Sequence, residues 1–231
     1  MSKKRQLILD TETTGLDPKL GHRIIEIGCV ELVNRCTTGN DWHHYFNPKR
    51  VIDDEAIAVH GITNEFLQDK PTFSQLAEQF MEYVAGAELI IHNAGFDVSF
   101  INHELSLLPS NRWGTIEEHC AIVDTLEMAR RLHPGQRNSL DALCKRYNVN
   151  NAHRELHGGL LDAGILADVY LAMTGGQISM ALGEETSNAQ ESKTISEPLK
   201  INRNKLSLVV VRATVEELLA HEAWSKAIKN K

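Results

Sequence analysis

Asp10 and Glu12 stand two residues apart at the end of the apolar run Leu7-Ile8-Leu9. In a strand, alternate residues leave the same face, so both carboxylates are expected to project together. Two close carboxylates beside a buried strand repel each other. Either one takes up a proton or a cation neutralises the pair. Ligands of open α/β sheets collect outside the carboxyl ends of the strands, where this pair is placed. A second apolar run, Leu89-Ile90-Ile91, leads through His92-Asn93-Ala94-Gly95-Phe96 to Asp97. The third constellation is His157-Gly158-Gly159-Leu160-Leu161-Asp162. Five residues advance a helix by about 500°, roughly 140° net, so His157 and Asp162 cannot share a helical face. The glycine pair instead predicts His157 on a mobile loop and Asp162 on the first turns of a helix. That arrangement suits a metal ligand on rigid structure beside a movable proton acceptor. Each piece alone is common. Their shared context, each following an element aimed at one sheet edge, is what carries weight.

Several periodic elements must position these residues. The segment 24–33 is apolar on both alternating faces, interrupted by Glu26 and Glu31, and reads as a long central strand; 42–46 is a weaker strand ended by Asn47-Pro48. Phe73, Leu76, Ala77, Phe80, Met81 and Val84 recur at helical spacing, with Gly86 closing the helix. Leu89-Ile90-Ile91 and Ala121-Ile122-Val123 read as short buried strands. Val98, Ile101, Leu105 and Leu108 mark a helix between them, and further helices follow over 126–132, 139–147 and 160–171. Strands first, then strands alternating with helices, predict an α/β domain with a sheet of mixed direction over residues 1–176.

Composition narrows the class. Hydrophobic residues are 42% and charged residues 24% of the 231, enough for a substantial buried core. No run approaches the ~18 apolar residues of a bilayer span, and the apolar stretch near the amino terminus is too short for a secretory signal. Neither a membrane nor a secreted protein is expected. Cys29, Cys36, Cys120 and Cys144 lie far apart without a C-x-x-C pair, which excludes a zinc ribbon and predicts reduced thiols. The formal net charge is −7. An acidic chain is a poor general binder of nucleic acid, so metal ions or a partner must supply much of the attraction to phosphates.

Asp10-Thr11-Glu12-Thr13-Thr14-Gly15, Asn93-x-x-x-Asp97 and His157-x-x-x-x-Asp162 together resemble the three motifs of the DEDDh family of 3′–5′ exonucleases. The blocks Val59-His60-Gly61-Ile62-Thr63, Ile91-His92-Asn93-Ala94, 137–144 and 171–177 resemble, within that family, the proofreading subunits of bacterial DNA polymerase III. The resemblance implies a ribonuclease H-like exonuclease fold, a mixed central sheet flanked by helices. It implies two divalent ions, Mg²⁺ or Mn²⁺, held by Asp10, Glu12, Asp97 and Asp162. Asp10 would bridge both ions, Glu12 and Asp162 would serve the nucleophile-side ion, and Asp97 would hold the other through water. Carboxylates are the hard oxygen ligands these ions prefer. His157 would be the general base, a neutral imidazole near pH 7 being well matched to deprotonating the attacking water. Mispaired 3′-terminal nucleotides would leave DNA as 5′-mononucleotides. Leu16, Glu55 and His60 would line the terminal-nucleotide pocket together with Asp10, Glu12 and Asp162.

Other residues carry blander expectations. Asp124 ends a strand and is expected to cap the following helix or support the site. Phe96 reads as core rather than as a base-stacking platform. His22, His43 and the remaining histidines read as ordinary polar positions. After residue 176, Gln177-Ile178-Ser179-Met180-Ala181-Leu182 resembles the short motif that docks on the sliding clamp, with Gln177 at the rim and Met180 and Leu182 in an apolar pocket. Residues 183–205 are polar and predict a flexible linker. Residues 206–231 predict a strand-like run and a helix opened by the capping box Thr214-Val215-Glu216-Glu217. By the resemblance this segment would tether the chain to the polymerase alpha subunit. A theta-type accessory subunit, and a place in the cytoplasm at the nucleoid-associated replisome, come from the same resemblance. Two other readings stay open: an RNA-trimming exonuclease of the same family, and a mainly structural subunit stabilising a polymerase–clamp assembly.

Overall fold

Leu7, Ile8 and Leu9 are fully buried at the centre of β1 (Arg5–Thr13). The computed structural model describes residues 5–110, 112–152, 156–175, 214–217 and 221. β1 pairs antiparallel with β2 (Ile24–Val33), from Arg5 opposite Val33 to Thr13 opposite Ile24, with an irregularity after Glu12. Along its other edge β1 runs parallel to β5 (Glu88–Ile91), which is parallel to β6 (Ala121–Asp124). The short strands β3 (Cys36–Thr37) and β4 (Trp42–Tyr45) each add antiparallel to β2. The sheet order is β3-β2-β1-β5-β6, the mixed-direction sheet expected from the element pattern.

Strand alternation divides the core between the two faces. Leu7, Leu9, Ile27, Cys29, Leu89 and Ile91 pack with α3 (Phe73–Val84) and α4 (Ala94–Ser106). Ile8, Val30, Leu32 and Ile90 pack instead with α5 (Thr125–Leu132), α6 (Leu140–Tyr147) and α7 (Gly159–Thr174). A small third cluster joins Ile25 to Ile52, Ile62 and Leu67 beside α1 (Asp54–His60) and α2 (Asn64–Leu67). Phe80 is fully buried, its ring centroid 5.2 Å from that of Trp42 and 6.0 Å from that of Phe73. Phe80→Ala is expected to cost about 3–5 kcal/mol. The denaturant midpoint reads this out, and an unchanged midpoint would contradict the packing.

Two boundaries differ from expectation in ways that matter. β1 continues to Thr13, because its ladder with β2 runs on past the apolar run, so both acids lie inside the strand. α4 opens at Ala94, ahead of its apolar periodicity, so Asp97 sits in its first turn. α1 and α2 have no strong periodicity and leave Val59 and Phe66 about half exposed. The chain separates into two compact units, Met1–Met180 and Ala181–Lys231. Within the second, the Thr214 amide donates to Glu217 Oε2 (2.8 Å) and the Glu217 amide to Thr214 Oγ1 (3.3 Å). This is the predicted reciprocal cap, on a turn helical at residues 215–217. The proposed clamp motif with Gln177, Met180 and Leu182, and the linker 183–205, lie outside the described residues.

Candidate active site

The face of the sheet that carries α7 also carries Asp10 and Glu12, two and four residues beyond Ile8. Asp162 reaches them because the start of α7 lies directly on the backbone of β2. Gly28 is the register partner of Asp10, and a Cβ there would collide with the backbone of Gly159 and Leu160. Reciprocally, a Cβ at Gly159 would meet the Gly28 nitrogen at 3.0 Å and the Asp10 carbonyl oxygen at 3.1 Å. Two glycines thus let a helix end approach a strand to backbone contact. Asp162, in the first turn, is delivered to the β1 acids at only 2% exposure.

Asp97 arrives from the opposite face. Asn93 adopts a left-handed conformation (φ 66°) between β5 and α4, a conformation asparagine tolerates better than most residues. Thr11, pointing to the α4 side between the two acids, donates to Asp97 Oδ1 through its amide (3.1 Å) and its hydroxyl (2.6 Å). Burial, outweighing those hydrogen bonds and reinforced by the charge of Asp124, pushes the Asp97 carboxyl up to about 7. Asp124 caps α5 through the amides of Leu126 (2.8 Å) and Glu127 (3.2 Å), as expected. It also accepts from the amides of Asn93 (3.2 Å) and Ala94 (3.1 Å), so one carboxylate fixes the turns before α4 and α5 together.

His157 precedes α7 rather than joining it, and its ring folds back so that Nδ1 is 3.2 Å from Asp162 Oδ2. The expected loop placement is present, and the loop is pinned. The His157 amide donates to the Val59 carbonyl at the end of α1 (3.1 Å), and Leu156 fills the space a side chain at Gly61 would need. Glu12, His157 and Asp162 bring one ligand atom each within 4.8 Å of one another. Asp10 and Asp97 line the same cleft, of about 740 Å³, with those three. Four carboxylates and an imidazole on one cleft, with Asp97 raised by burial and neighbouring charge, form a donor set that fits hard divalent cations.

Beyond the acids the cleft is lined by Leu16, Glu55, Val59, His60 and Phe96. Leu16 presents its side chain almost wholly to solvent at 82% exposure, while Phe96 is half-buried and also packs on the core. His60 is buried at the last position of α1, and burial holds its imidazole below the ordinary value. Its Nδ1 accepts from the Ile62 amide (3.0 Å), which leaves the proton of a neutral ring on Nε2. Nε2 feels the Thr13 backbone but makes no hydrogen bond of normal geometry to any described residue.

Sequence reasoning missed four features of this site. Thr11 and the Gly28–Gly159 contact are two; an isolated glycine inside a strand does signal close backbone approach. His22 is the third: expected as an ordinary polar position, it is buried in the cleft wall against Gly15, with Nδ1 3.2 Å from Thr14 Oγ1. The fourth is Glu26, buried directly opposite Glu12 and bound to His43 Nε2 at 2.7 Å.

The exonuclease family profile, RNase_T, matches residues 7–170, which contain every one of these cleft residues. DNA polymerase III subunit epsilon of Escherichia coli K12 is 53% identical, over 98% of this chain and 94% of that protein. The chain belongs to the exonuclease family, among the DNA polymerase III epsilon subunits. The family member of the same name from Buchnera aphidicola (subspecies Acyrthosiphon pisum) is 46% identical over 100% of this chain and 98% of its own length. Among solved structures, exonuclease X in complex with 5′ overhanging duplex DNA matches at 28% identity and a TM-score of 0.59, covering 74% of this chain and 92% of that one. Zinc-bound E. coli exonuclease I with single-stranded DNA has a TM-score of 0.63 at 17% identity, covering 76% and 41%, and shares the fold. The α/β architecture is thus the family's exonuclease fold. Among the described residues, no helix is long and apolar enough to cross a membrane.

Proposed function

We propose that this chain removes mispaired 3′-terminal nucleotides from DNA as the proofreading 3′–5′ exonuclease of a bacterial replicative DNA polymerase. The observation that carries the reading is the convergence of Asp10, Glu12, Asp97, His157 and Asp162 on one cleft beside Leu16, Glu55 and His60. Asp10, Glu12, Asp97 and Asp162 would hold two divalent cations, Mg²⁺ or Mn²⁺. Bound there, such ions neutralise the phosphate oxygens and make water a better nucleophile. Asp162 orients the imidazole through Nδ1, and His157 takes the proton of the attacking water. Glu55 supplies a polar contact to the terminal sugar beside the buried His60, while Leu16 and Phe96 flank its base. No base-specific contact is needed, because a mispaired end unstacks at lower cost and enters a single-strand site more often.

The test is release of a mispaired deoxynucleotide from a primer 3′ end with Mg²⁺, compared with a matched RNA end. Preferential release of the mispaired residue is expected. Equal activity on RNA would favour the trimming reading. Partner binding follows the family: residues 206–231 on the polymerase alpha subunit, and Gln177, Met180 and Leu182 on the sliding clamp, with the linker keeping the nuclease concentrated near the primer end. A theta-type subunit and a cytoplasmic, replisome-bound location belong to the same reading.

Asp97 gives a pH signature. Its raised value means the native state keeps a proton that the unfolded chain loses near pH 4. Its contribution to stability therefore falls as pH rises towards about 7, and levels off above. A divalent cation that favours the ionised carboxylate reverses this loss. The Mg²⁺-induced rise in Tm is expected to grow between mildly acidic and mildly alkaline pH; a pH-independent rise would contradict the assignment of Asp97.

A further inference from the structure

The catalytic cleft does not end at His157. A groove of about 630 Å³ opens from it, sharing His92, Asn93, Leu140 and His157. Its remaining lining is Leu126 and Arg130 on α5, Gln136, Asn138 and Ser139 in the turn leading to α6, and Asp141 on α6, which accepts from Asn151 Nδ2 (3.1 Å). Another groove, of about 500 Å³, meets the cleft at Asp53, two residues from Glu55, and carries Arg23, Lys49 and Arg50. A DNA strand with its 3′ end in the cleft has to leave by some route, and both grooves carry cationic side chains.

Strand polarity separates them. With the terminal nucleoside among Leu16, Glu55 and His60, its 5′ phosphate lies over the carboxylates. The preceding nucleotide is joined through the other ester of that phosphate. The strand therefore departs from the carboxylate side, where His157 stands, and not past Glu55. The groove that meets the cleft at Asp53 joins it two residues from Glu55 and does not share His157.

The wall chemistry agrees. Arg131 is committed to Glu127 (3.1 Å), and Arg146 to Asn138 Oδ1 (2.9 Å) and the Arg137 carbonyl (2.8 Å). Arg130 is exposed and forms no ion pair with any described residue. Asn138 is buried and donates to the carbonyls of His133 (3.3 Å) and Gln136 (3.1 Å), which stiffens the turn before any strand arrives. A preformed wall avoids the ordering cost that weakens binding on loops.

We propose that this groove is the path of single-stranded DNA on the 5′ side of the cleaved phosphate, with Arg130 as its phosphate contact. The proposal rests on the exonuclease reading of the cleft, and the experiment separates the two. The full chain and its Arg130→Ala, Arg130→Lys and Lys49→Ala variants are assayed on thymidine 5′-(4-nitrophenyl phosphate), which fills the terminal pocket alone, and on a hexathymidylate. Binding of a labelled hexamer with a cleavage-resistant terminal phosphorothioate is followed against salt. Arg130→Ala is expected to raise the hexamer KM roughly tenfold, the loss of one charge-assisted hydrogen bond, with ester hydrolysis unchanged. The slope of log Kd against log salt should shrink by about 0.7, the share of one single-strand phosphate, and Arg130→Lys should restore it. The proposal is overturned if Lys49→Ala alone reduces the slope, or if Arg130→Ala slows ester and hexamer alike. If the unaltered chain leaves both substrates intact, the exonuclease reading fails, and the salt slope still reports whether Arg130 meets the strand.

Discussion

An alanine at position 157 is expected to slow 3′-terminal hydrolysis by roughly 10²–10⁴-fold, the usual contribution of a positioned proton acceptor. The expectation rests on where the ring stands. His157 is outside α7, 3.2 Å from Asp162 Oδ2, and shares its cleft with all four carboxylates. Since the carboxylates remain, cation binding followed by calorimetry should largely survive. Residual activity should recover as pH rises, because hydroxide substitutes for a missing base. A variant that cleaves at the original rate would show that His157 is misassigned. One that loses cation binding altogether would make His157 a ligand instead.

Gly28→Ala should produce a loss of similar size from a position that touches no substrate. The added methyl must displace Gly159 and Leu160, and with them the turn that carries Asp162. A shift of about 1 Å at a reacting group can cost 10²-fold in rate. Gly164→Ala, on the same helix with nothing within 4 Å of the added carbon, is the control and should keep full activity. Circular dichroism and Tm distinguish displacement from unfolding. An active, normally folded Gly28→Ala enzyme would mean that the start of α7 can relax without moving Asp162.

How far these positions could be read from sequence depends on the range of the interactions that set them. Asp10 and Glu12 were legible because a strand's alternation is local and the apolar run before them is unmistakable. Asp97 was legible as an acid after a strand, but its place in the first turn of α4 was not. The apolar spacing of that helix begins only at Val98, and the left-handed turn at Asn93 leaves no periodic trace. Asp162 could be set on a helix, whereas its meeting with Glu12 depends on two glycines 131 positions apart in the chain. The cap at Asp124 followed from its place between strand and helix. Its second task, holding the turn before α4, needed the parallel pairing of β5 with β6. His22 and Glu26 showed no pattern, because their partners Thr14, Asp53 and His43 are brought to them by tertiary folding.

The rung between the His157 amide and the Val59 carbonyl, buttressed by Leu156 over Gly61, gears two parts of the enzyme to each other. The last turn of α1 carries His60 and, one turn earlier, Glu55, so whatever seats against those side chains leans on the strut that holds the imidazole. On the roles proposed for the cleft and for His157, loading the compartment and aligning the base are one mechanical event. Damage on either side of the strut should register in turnover and in apparent affinity at once.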